Sequence, residues 1–306
     1  MVLLLATAAH GAWLHPLQAA PNVLRPGDLV FTDSQATILR WDRQTGTCTT
    51  LASGGYLVRP CGIAVDADRQ VYVADTGALG VIRIEPWTGR MTMLAQGAAL
   101  GIPYGIAVGK TEQLWVANGQ HVVGVDLETG DQRIVSSRQS LQTPLGVVET
   151  SKGDLFVADA AGRIVHLDPA SGTESVIAEG EHLASPMAIT CLGKHILYVS
   201  DPVARRIMKI DARTGRLSEL SAQGHLAAPL GLAPLGAHSL VVADPDALDF
   251  AGALIQVDLE AGTQVPLLGG TGDLVNARGV AVVPGRHVRP TQGNGNNSSA
   301  KATQEP

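Results

Sequence analysis

The sequence predicts an all-β fold, a six-bladed β-propeller of four-stranded antiparallel blades. A unit with four short β-type runs recurs along the chain with a period near forty residues, which is typical of propellers rather than of helical solenoids. The composition is 45% hydrophobic but only 4% aromatic, with 35 Gly and 17 Pro. Many short strands joined by tight turns produce this mixture, and closed β folds of this length occur as one domain.

The unit is clearest between Pro60 and Gly97. Its four runs are rich in β-branched residues and cover 62–65, 71–74, 81–84 and 91–95, as expected for short strands. The polar segment 66–70 and the turn at Thr88-Gly89 separate them. Such a unit leaves apolar faces uncovered, so it needs copies of itself.

The copies align on a Pro-x-Gly motif at the start of the first run. They begin at Pro60, Pro103, Pro144, Pro186 and Pro229, with a degenerate copy at Ala277. The second run recurs as DLVFTD, QVYVAD, QLWVAN, DLFVAD, ILYVSD and SLVVAD. Six second runs predict six blades.

The first unit lacks a first strand of its own, and the chain ends its regular part with a spare one. We therefore predict that the C-terminal strand, at about 277–285, pairs with the N-terminal strands, at about 28–53, and closes the ring. Closure removes the exposed sheet edges that would otherwise invite aggregation.

The segments outside the repeats predict three regions: a signal peptide at 1–20, the propeller at 21–285 and a disordered tail at 286–306. An apolar run followed by Ala19 and Ala20 favours a secreted or periplasmic protein with no stable membrane span after cleavage. No Lys or Arg precedes that run, so a mis-assigned start codon, a membrane anchor and a plain N-terminal helix stay open as alternatives. The tail is polar and lacks apolar periodicity.

The charge and the cysteines count against two classes of function, nucleic-acid binding and a cysteine-based metal site. The net charge is −6, so nucleic acid, whose binding requires a basic surface, is not an expected partner. Cys48, Cys61 and Cys191 form no Cys-x-x-Cys pair, and we expect them to be buried thiols that pack as small hydrophobes.

The units resemble the NHL-repeat group of six-bladed propellers, in a superfamily that also holds gluconolactonase-like and virginiamycin B lyase-like propellers. The matching residues are Pro60-Cys-Gly-Ile-Ala-Val-Asp and the following Val71-Tyr-Val-Ala-Asp-Thr-Gly. The resemblance covers about 25–285 and implies the fold; it does not imply one activity, because the architecture hosts binding proteins, scaffolds and enzymes.

Comparison of the six copies separates scaffold from site. An Asp or Asn ends every second run, and we interpret this column as structural, because a short acidic or amide side chain accepts hydrogen bonds from the following backbone amides. Its members are Asp33, Asp75, Asn118, Asp159, Asp201 and Asp244.

The x residues of Pro-x-Gly vary, and the resemblance implies that they line the mouth of the central channel. They are Cys61, Tyr104, Leu145, Met187, Leu230 and Arg278. The metal ligands of gluconolactonase-like and amidating-lyase propellers would fall in this column, which here holds no Asn, Asp, Glu or His. No cofactor is therefore assigned, and a divalent metal elsewhere stays open.

A second variable column lies four residues before the proline and predicts a candidate catalytic cluster. His182 and His225 occupy identical registers on adjacent blades, and Asp273 follows on the next. The insertion 245–252 adds Asp246, Asp249 and Phe250 to the same face. Imidazoles and carboxylates together could hold a metal or act as general acids and bases. The alternative is a pair of surface histidines inherited by blade duplication.

Two functions follow. The first is an exported binding or scaffold module that holds a small molecule, peptide or protein on its variable face, with Tyr56, Tyr104, Asp246, Asp249, Phe250 and Arg278 as binding residues. The second is a hydrolase, lactonase or lyase that uses His182, His225 and Asp273.

Overall fold

The computed structural model describes residues 23–269 and 276–285. In this part of the chain, 24 strands form six four-stranded antiparallel sheets, the blades of a propeller. The predicted fold and blade number are confirmed.

The strands of the first half of the chain are β1 (Leu29–Asp33), β2 (Thr37–Trp41), β3 (Cys48–Ser53), β4 (Pro60–Val65), β5 (Val71–Asp75), β6 (Gly80–Glu85), β7 (Arg90–Gln96), β8 (Gly105–Val108), β9 (Gln113–Ala117), β10 (Val122–Asp126), β11 (Gln132–Ile134) and β12 (Pro144–Glu149). Those of the second half are β13 (Leu155–Asp159), β14 (Arg163–Leu167), β15 (Glu174–Glu179), β16 (Ile189–Leu192), β17 (Ile196–Asp201), β18 (Arg206–Asp211), β19 (Leu217–Ala222), β20 (Gly231–Pro234), β21 (Ser239–Asp244), β22 (Ala253–Asp258), β23 (Gln264–Gly269) and β24 (Ala277–Val282). The helical pieces are a 3₁₀ turn, Ala98–Leu100, and a four-residue turn, α1 (Ala247–Phe250).

Blade 1 is completed from both ends of the chain. Its strand order is β24-β1-β2-β3, and β24 pairs antiparallel with β1, so that Leu29 lies opposite Val282 and Val30 opposite Ala281. Blades 2 to 6 each use four consecutive strands. The predicted ring closure is confirmed.

Burial falls from the second strand of a blade to the fourth. All five residues of β5 are buried, whereas β7 in the same blade has exposed residues at both ends. The second strand is covered by neighbouring blades on both faces, which explains its continuous apolar sequence. The fourth strand faces solvent on one side.

The apolar cores lie between the blades. Each of six clusters of buried side chains joins two adjacent blades; for example, Tyr72 and Val81 of blade 2 pack with Leu114 and Val123 of blade 3. A single blade buries its faces only when both neighbours are present, so the hydrophobic stabilisation belongs to the ring.

The glycine of Pro-x-Gly marks where neighbouring inner strands come closest. A Cβ on Gly105 would overlap the carbonyl oxygen of Leu145 and lie 2.9 Å from the Cα of Gly146. A Cβ on Gly231 would lie 2.6 Å from the carbonyl oxygen of Arg278. Gly62, Gly146 and Gly279 meet the next blade in the same way. Only a hydrogen atom fits at these positions.

Blade 5 has Ala188 at this position, and its inner strand differs. Strand pairing in this blade begins only at Ile189. The Ser200 hydroxyl joins blade 5 to blade 6. Its oxygen accepts a hydrogen bond from Ala188 N at 3.0 Å and donates one to the carbonyl oxygen of Leu230, in blade 6, at 2.7 Å. Thr32 bridges Gly279 and Cys61 in the same manner at the junction of blades 1 and 2.

We expect Gly105→Ala to lower the free energy of unfolding by about 1–3 kcal/mol, because the new methyl group forces two backbones apart. Urea unfolding of the full chain measures the change. Ala188→Gly is the matched control: it changes a position where the methyl group is already accommodated and should cost no more than about 1 kcal/mol. Equal losses in the two variants would contradict the close-approach explanation.

Candidate functional site

The site lies on the face of the ring where first strands begin and second strands end. We call it the loop face; it comprises the loops that join fourth strands to the next first strands and those that join second to third strands. Antiparallel pairing sets this arrangement, since Pro60 at the start of β4 lies opposite Asp75 at the end of β5.

Five of the six residues of the repeated Asp/Asn column hold this face together, as their structural interpretation requires. Asp75 is fully buried, and its carboxylate accepts hydrogen bonds from the backbone N–H groups of Val58, Arg59, Gly77 and Ala78 at 2.8–2.9 Å. The first two N–H groups belong to the loop entering the blade and the last two to the turn after β5. The carboxylate therefore clamps two loops, and both of its oxygens take part in this structural role.

The same clamp recurs at Asp159, Asp201 and Asp244, each of which accepts from the turn after its strand and from the loop before its blade. Asn118 uses Oδ1 for the turn and donates from Nδ2 to the carbonyl oxygen of Ala99 at 2.8 Å. Burial raises the pKa of Asp244, while the backbone N–H groups of Ala227 and Ala228 oppose that shift.

The x residues line the narrow mouth of the central channel, the place that the resemblance implied. They surround a cavity of about 100 Å³, to which every blade contributes one x residue: Cys61, Tyr104, Leu145, Met187, Leu230 and Arg278. We call this cavity the cup. Arg278 is the only charged side chain among its described lining residues.

A ring of branched aliphatic side chains forms the floor of the cup. Its members, two positions after each x residue, are Ile63, Ile106, Val147, Ile189, Leu232 and Val280. They also line a wider cavity of about 550 Å³ at the opposite end of the channel. This aliphatic ring therefore separates the two ends and gives the cup an apolar base.

Two side chains of the cup have distinctive electrostatics. Burial raises the pKa of the Cys61 thiol to about 11, a shift that the nearby cations Arg278 and Arg59 partly oppose and that Asp75 reinforces. The Nε atom of Arg278 is buried and has no hydrogen-bond partner among the described residues. The cup thus combines the Cys61 thiol, which stays protonated at neutral pH, with the Arg278 guanidinium, which donates no hydrogen bond to a described residue.

The other binding candidates lie at the edge of the loop face. Tyr56 is exposed, Tyr104 lines the cup, and Asp246, Asp249 and Phe250 belong to the blade 6 insertion. Leu248, Asp249 and Phe250 all have φ between 54° and 67°, so three successive residues with side chains adopt the left-handed conformation that normally favours glycine. This turn holds Phe250 82% exposed.

The structure places the catalytic candidates in equivalent loops without showing contact between them. His182 is exposed and His225 is half-buried, each followed by a buried leucine, Leu183 or Leu226, that anchors its loop. The N–H of His225 also donates to Gln264 Oε1 at 2.7 Å. Asp273 lies outside the described residues, and within the described ranges no group of three or more His, Cys, Asp and Glu could hold a metal. The catalytic cluster stays a prediction.

Sequence reasoning missed four apolar side chains on the loop face and misplaced one cysteine. Val58, Leu79, Ile102 and Val203 are exposed there; each is a large apolar residue inside a turn-rich segment, and that signal could have identified them. Cys48 is exposed rather than buried, because it begins the outer strand β3.

Solved structures share the fold. The propeller of a nidogen/laminin complex aligns with a TM-score of 0.70 at 18% identity, over 83% of this chain and 97% of that one. A virginiamycin B lyase from Staphylococcus aureus, solved with quinupristin in a catalytically inactive form, aligns with a TM-score of 0.60 at 18% identity, over 75% of this chain and 79% of that one. A streptogramin B lyase aligns with a TM-score of 0.54 at 19% identity, over 68% of this chain and 67% of that one.

At these identities the likeness establishes the six-bladed propeller fold and not an activity. No family model matches the chain, and no curated protein matches it. No helix in the described ranges is long and apolar enough to cross a membrane.

The enzyme hypothesis predicts that His182→Ala and His225→Ala each abolish turnover in a screen of lactones and esters. Both side chains lie in loops and are at least partly exposed, so the free energy of unfolding should change by no more than about 0.5 kcal/mol. His195→Ala is the control, since His195 lies on the opposite face. Turnover that survives both loop-face substitutions would exclude this mechanism.

We expect Cys61 to be alkylated slowly in the folded protein. With its pKa raised to about 11, its thiolate fraction at pH 8 is about 100-fold lower than in the unfolded chain, and its rate should rise about tenfold per pH unit up to that pKa. Peptide mapping after iodoacetamide treatment measures the rate, with the exposed Cys48 as internal control. Equal rates for Cys61 in the folded and unfolded chain would contradict its desolvation.

Proposed function

We propose that this propeller is a binding module that recognises a protein partner through its loop face. The observation that carries the proposal is the uneven distribution of exposed apolar side chains. Of eleven exposed large hydrophobic residues in the described ranges, six lie in loops of the loop face, whereas Trp87 alone lies in the loops and turns that join strands at the opposite end. Exposed apolar side chains that concentrate on one face are typical of interaction sites.

The six residues lie in loops of the same face as the cup: Tyr56, Val58, Leu79, Ile102, Val203 and Phe250. Val203 and Phe250, at 69% and 82% exposure, protrude from the second-to-third-strand loops of blades 5 and 6. They are therefore available to a partner without any rearrangement of the ring.

The lysines are distributed unevenly between the two faces. Lys110, Lys152 and Lys194 lie in loops of the opposite face, whereas the described loops of the loop face carry no lysine. Arginines occur in the loops of both faces. Protein interfaces are depleted of lysine, so the absence of lysine from the described loops of the loop face agrees with a binding role.

The left-handed turn of blade 6 adds a strained element to this face. Non-glycine residues in this conformation cost about 1 kcal/mol or more each, and three occur in succession at 248–250. Backbone strain of this kind clusters at functional sites, and here it accompanies the exposed side chain of Phe250, which directly follows Asp249.

The similarity to the propeller solved in a nidogen/laminin complex supports a binding role by analogy of fold.

We also propose that the protein acts outside the cytoplasm, on the ground of the predicted signal at 1–20. That segment lies outside the described residues, and comparison of the mature N-terminus with Met1 would test it.

We expect a loop-face variant with Tyr56→Ser, Val203→Ser and Phe250→Ser to lose its partner. Wild-type protein serves as bait in an extract of its own source, and the captured protein is then purified and titrated against wild type and variant. Loss of three apolar anchors should weaken binding at least about 30-fold.

Trp87→Ser is the matched control, because Trp87 lies on the opposite face and is 49% exposed, as Tyr56 is. It should bind as wild type does. A partner that binds the loop-face variant as tightly as wild type, or that is lost with Trp87→Ser, would overturn the proposal.

A further inference from the structure

The cup is a separate feature from the six exposed apolar residues of the loop face, which we call the rim. Its walls come from one x residue of each blade, its floor is the aliphatic ring, and its volume of about 100 Å³ admits several waters or a short acyl chain. Five of the six x residues carry no charge at neutral pH. Arg278 is the exception.

The guanidinium of Arg278 has no ion pair and no hydrogen bond to any described residue, and its Nε atom is buried. Arg69, Arg163 and Arg206 also have a buried Nε without a partner among the described residues. Arg163 and Arg206 bond through Nη1, to Ser140 O and to Glu219, and Arg69 lies in a loop of the opposite face, away from the lining of the cup. A partly desolvated cation without a counter-charge is costly. An anion that enters the cup would remove that cost.

Among the described residues, the other charges that act on the cup do not neutralise Arg278. Arg59 and Asp75 lie within electrostatic reach of the same cup, as their influence on Cys61 shows. The Asp75 carboxylate already accepts four backbone N–H groups, and Arg59 adds a second positive charge whose Nε bonds to Thr76 Oγ1. Counted over the described residues, the local charge is positive at the entrance of an apolar cavity.

We propose that the cup binds a small organic monocarboxylate with a short apolar chain. The planar carboxylate matches the two-pronged donor geometry of a guanidinium, and the chain lies over the aliphatic ring, where its burial is favourable. A phosphate dianion fits less well, because one partly buried guanidinium does not compensate for the desolvation of two charges.

A titration of the full-length protein with sodium butanoate tests this assignment. Saturation-transfer difference NMR and calorimetry measure the binding. Butanoate should bind, and butanamide, which has the same shape without the charge, should bind at least about tenfold more weakly. Arg278→Gln should reduce butanoate affinity by about tenfold or more. Arg216→Gln, which removes an exposed charge from a third-to-fourth-strand turn, should leave it unchanged.

Two further variants guard against misfolding and separate the cup from the rim. Leu145→Phe keeps Arg278 but fills part of the cup, so it should also weaken butanoate binding. The variant with Tyr56→Ser, Val203→Ser and Phe250→Ser should bind butanoate normally, whatever it does to the protein partner. The absence of binding by wild type up to about 50 mM butanoate, or equal affinity in Arg278→Gln, would overturn the proposal.

Discussion

The close approach of the inner strands is the constraint on which this propeller depends. At the glycine position the backbone of the next blade leaves room only for a hydrogen atom, and this contact sets the diameter of the channel. The aliphatic side chains one residue further on are consequently close enough to form a floor. Where alanine replaces glycine, in blade 5, Ser200 bridges the junction by hydrogen bonds. The narrow cup is therefore a result of how the blades fit together.

The repeat separates stability from recognition within each copy. The acidic residue at the end of the second strand clamps two loops, and the leucine three positions before the proline, such as Leu57 or Leu100, fixes the loop to the core. Two other positions, the x residue and the residue before the anchoring leucine, neither clamp the loops nor fix them to the core. Their identity differs from blade to blade. Variation confined to these positions changes the surface without changing the ring, which explains how one fold supports unrelated binding and catalytic functions.

Blade number, strand content and closure could be predicted from the sequence, because each depends on a pattern repeated about every forty residues. The structural role of the Asp column could be predicted for the same reason. The left-handed turn at 248–250 could not, since such φ values arise from the surrounding structure and not from the residues Leu248 and Asp249 themselves. That Arg278 has no partner among the described residues depends on which side chains of five other blades line the cup with it. The exposure of Cys48 depends on its place at the start of an outer strand.

Among the described strands, blade 1 contains the first three to be synthesised and the last one. On the ribosome, β1 to β3 emerge early and wait with one edge of β1 unpaired until β24, more than two hundred residues later, leaves the exit tunnel. A translation product that stops before Ala277 lacks this final strand and keeps an open sheet edge together with an uncovered boundary between blades 6 and 1. Such edges and apolar surfaces are what chaperones and proteases recognise. The position of one strand thus makes completion of the ring a checkpoint for full-length synthesis.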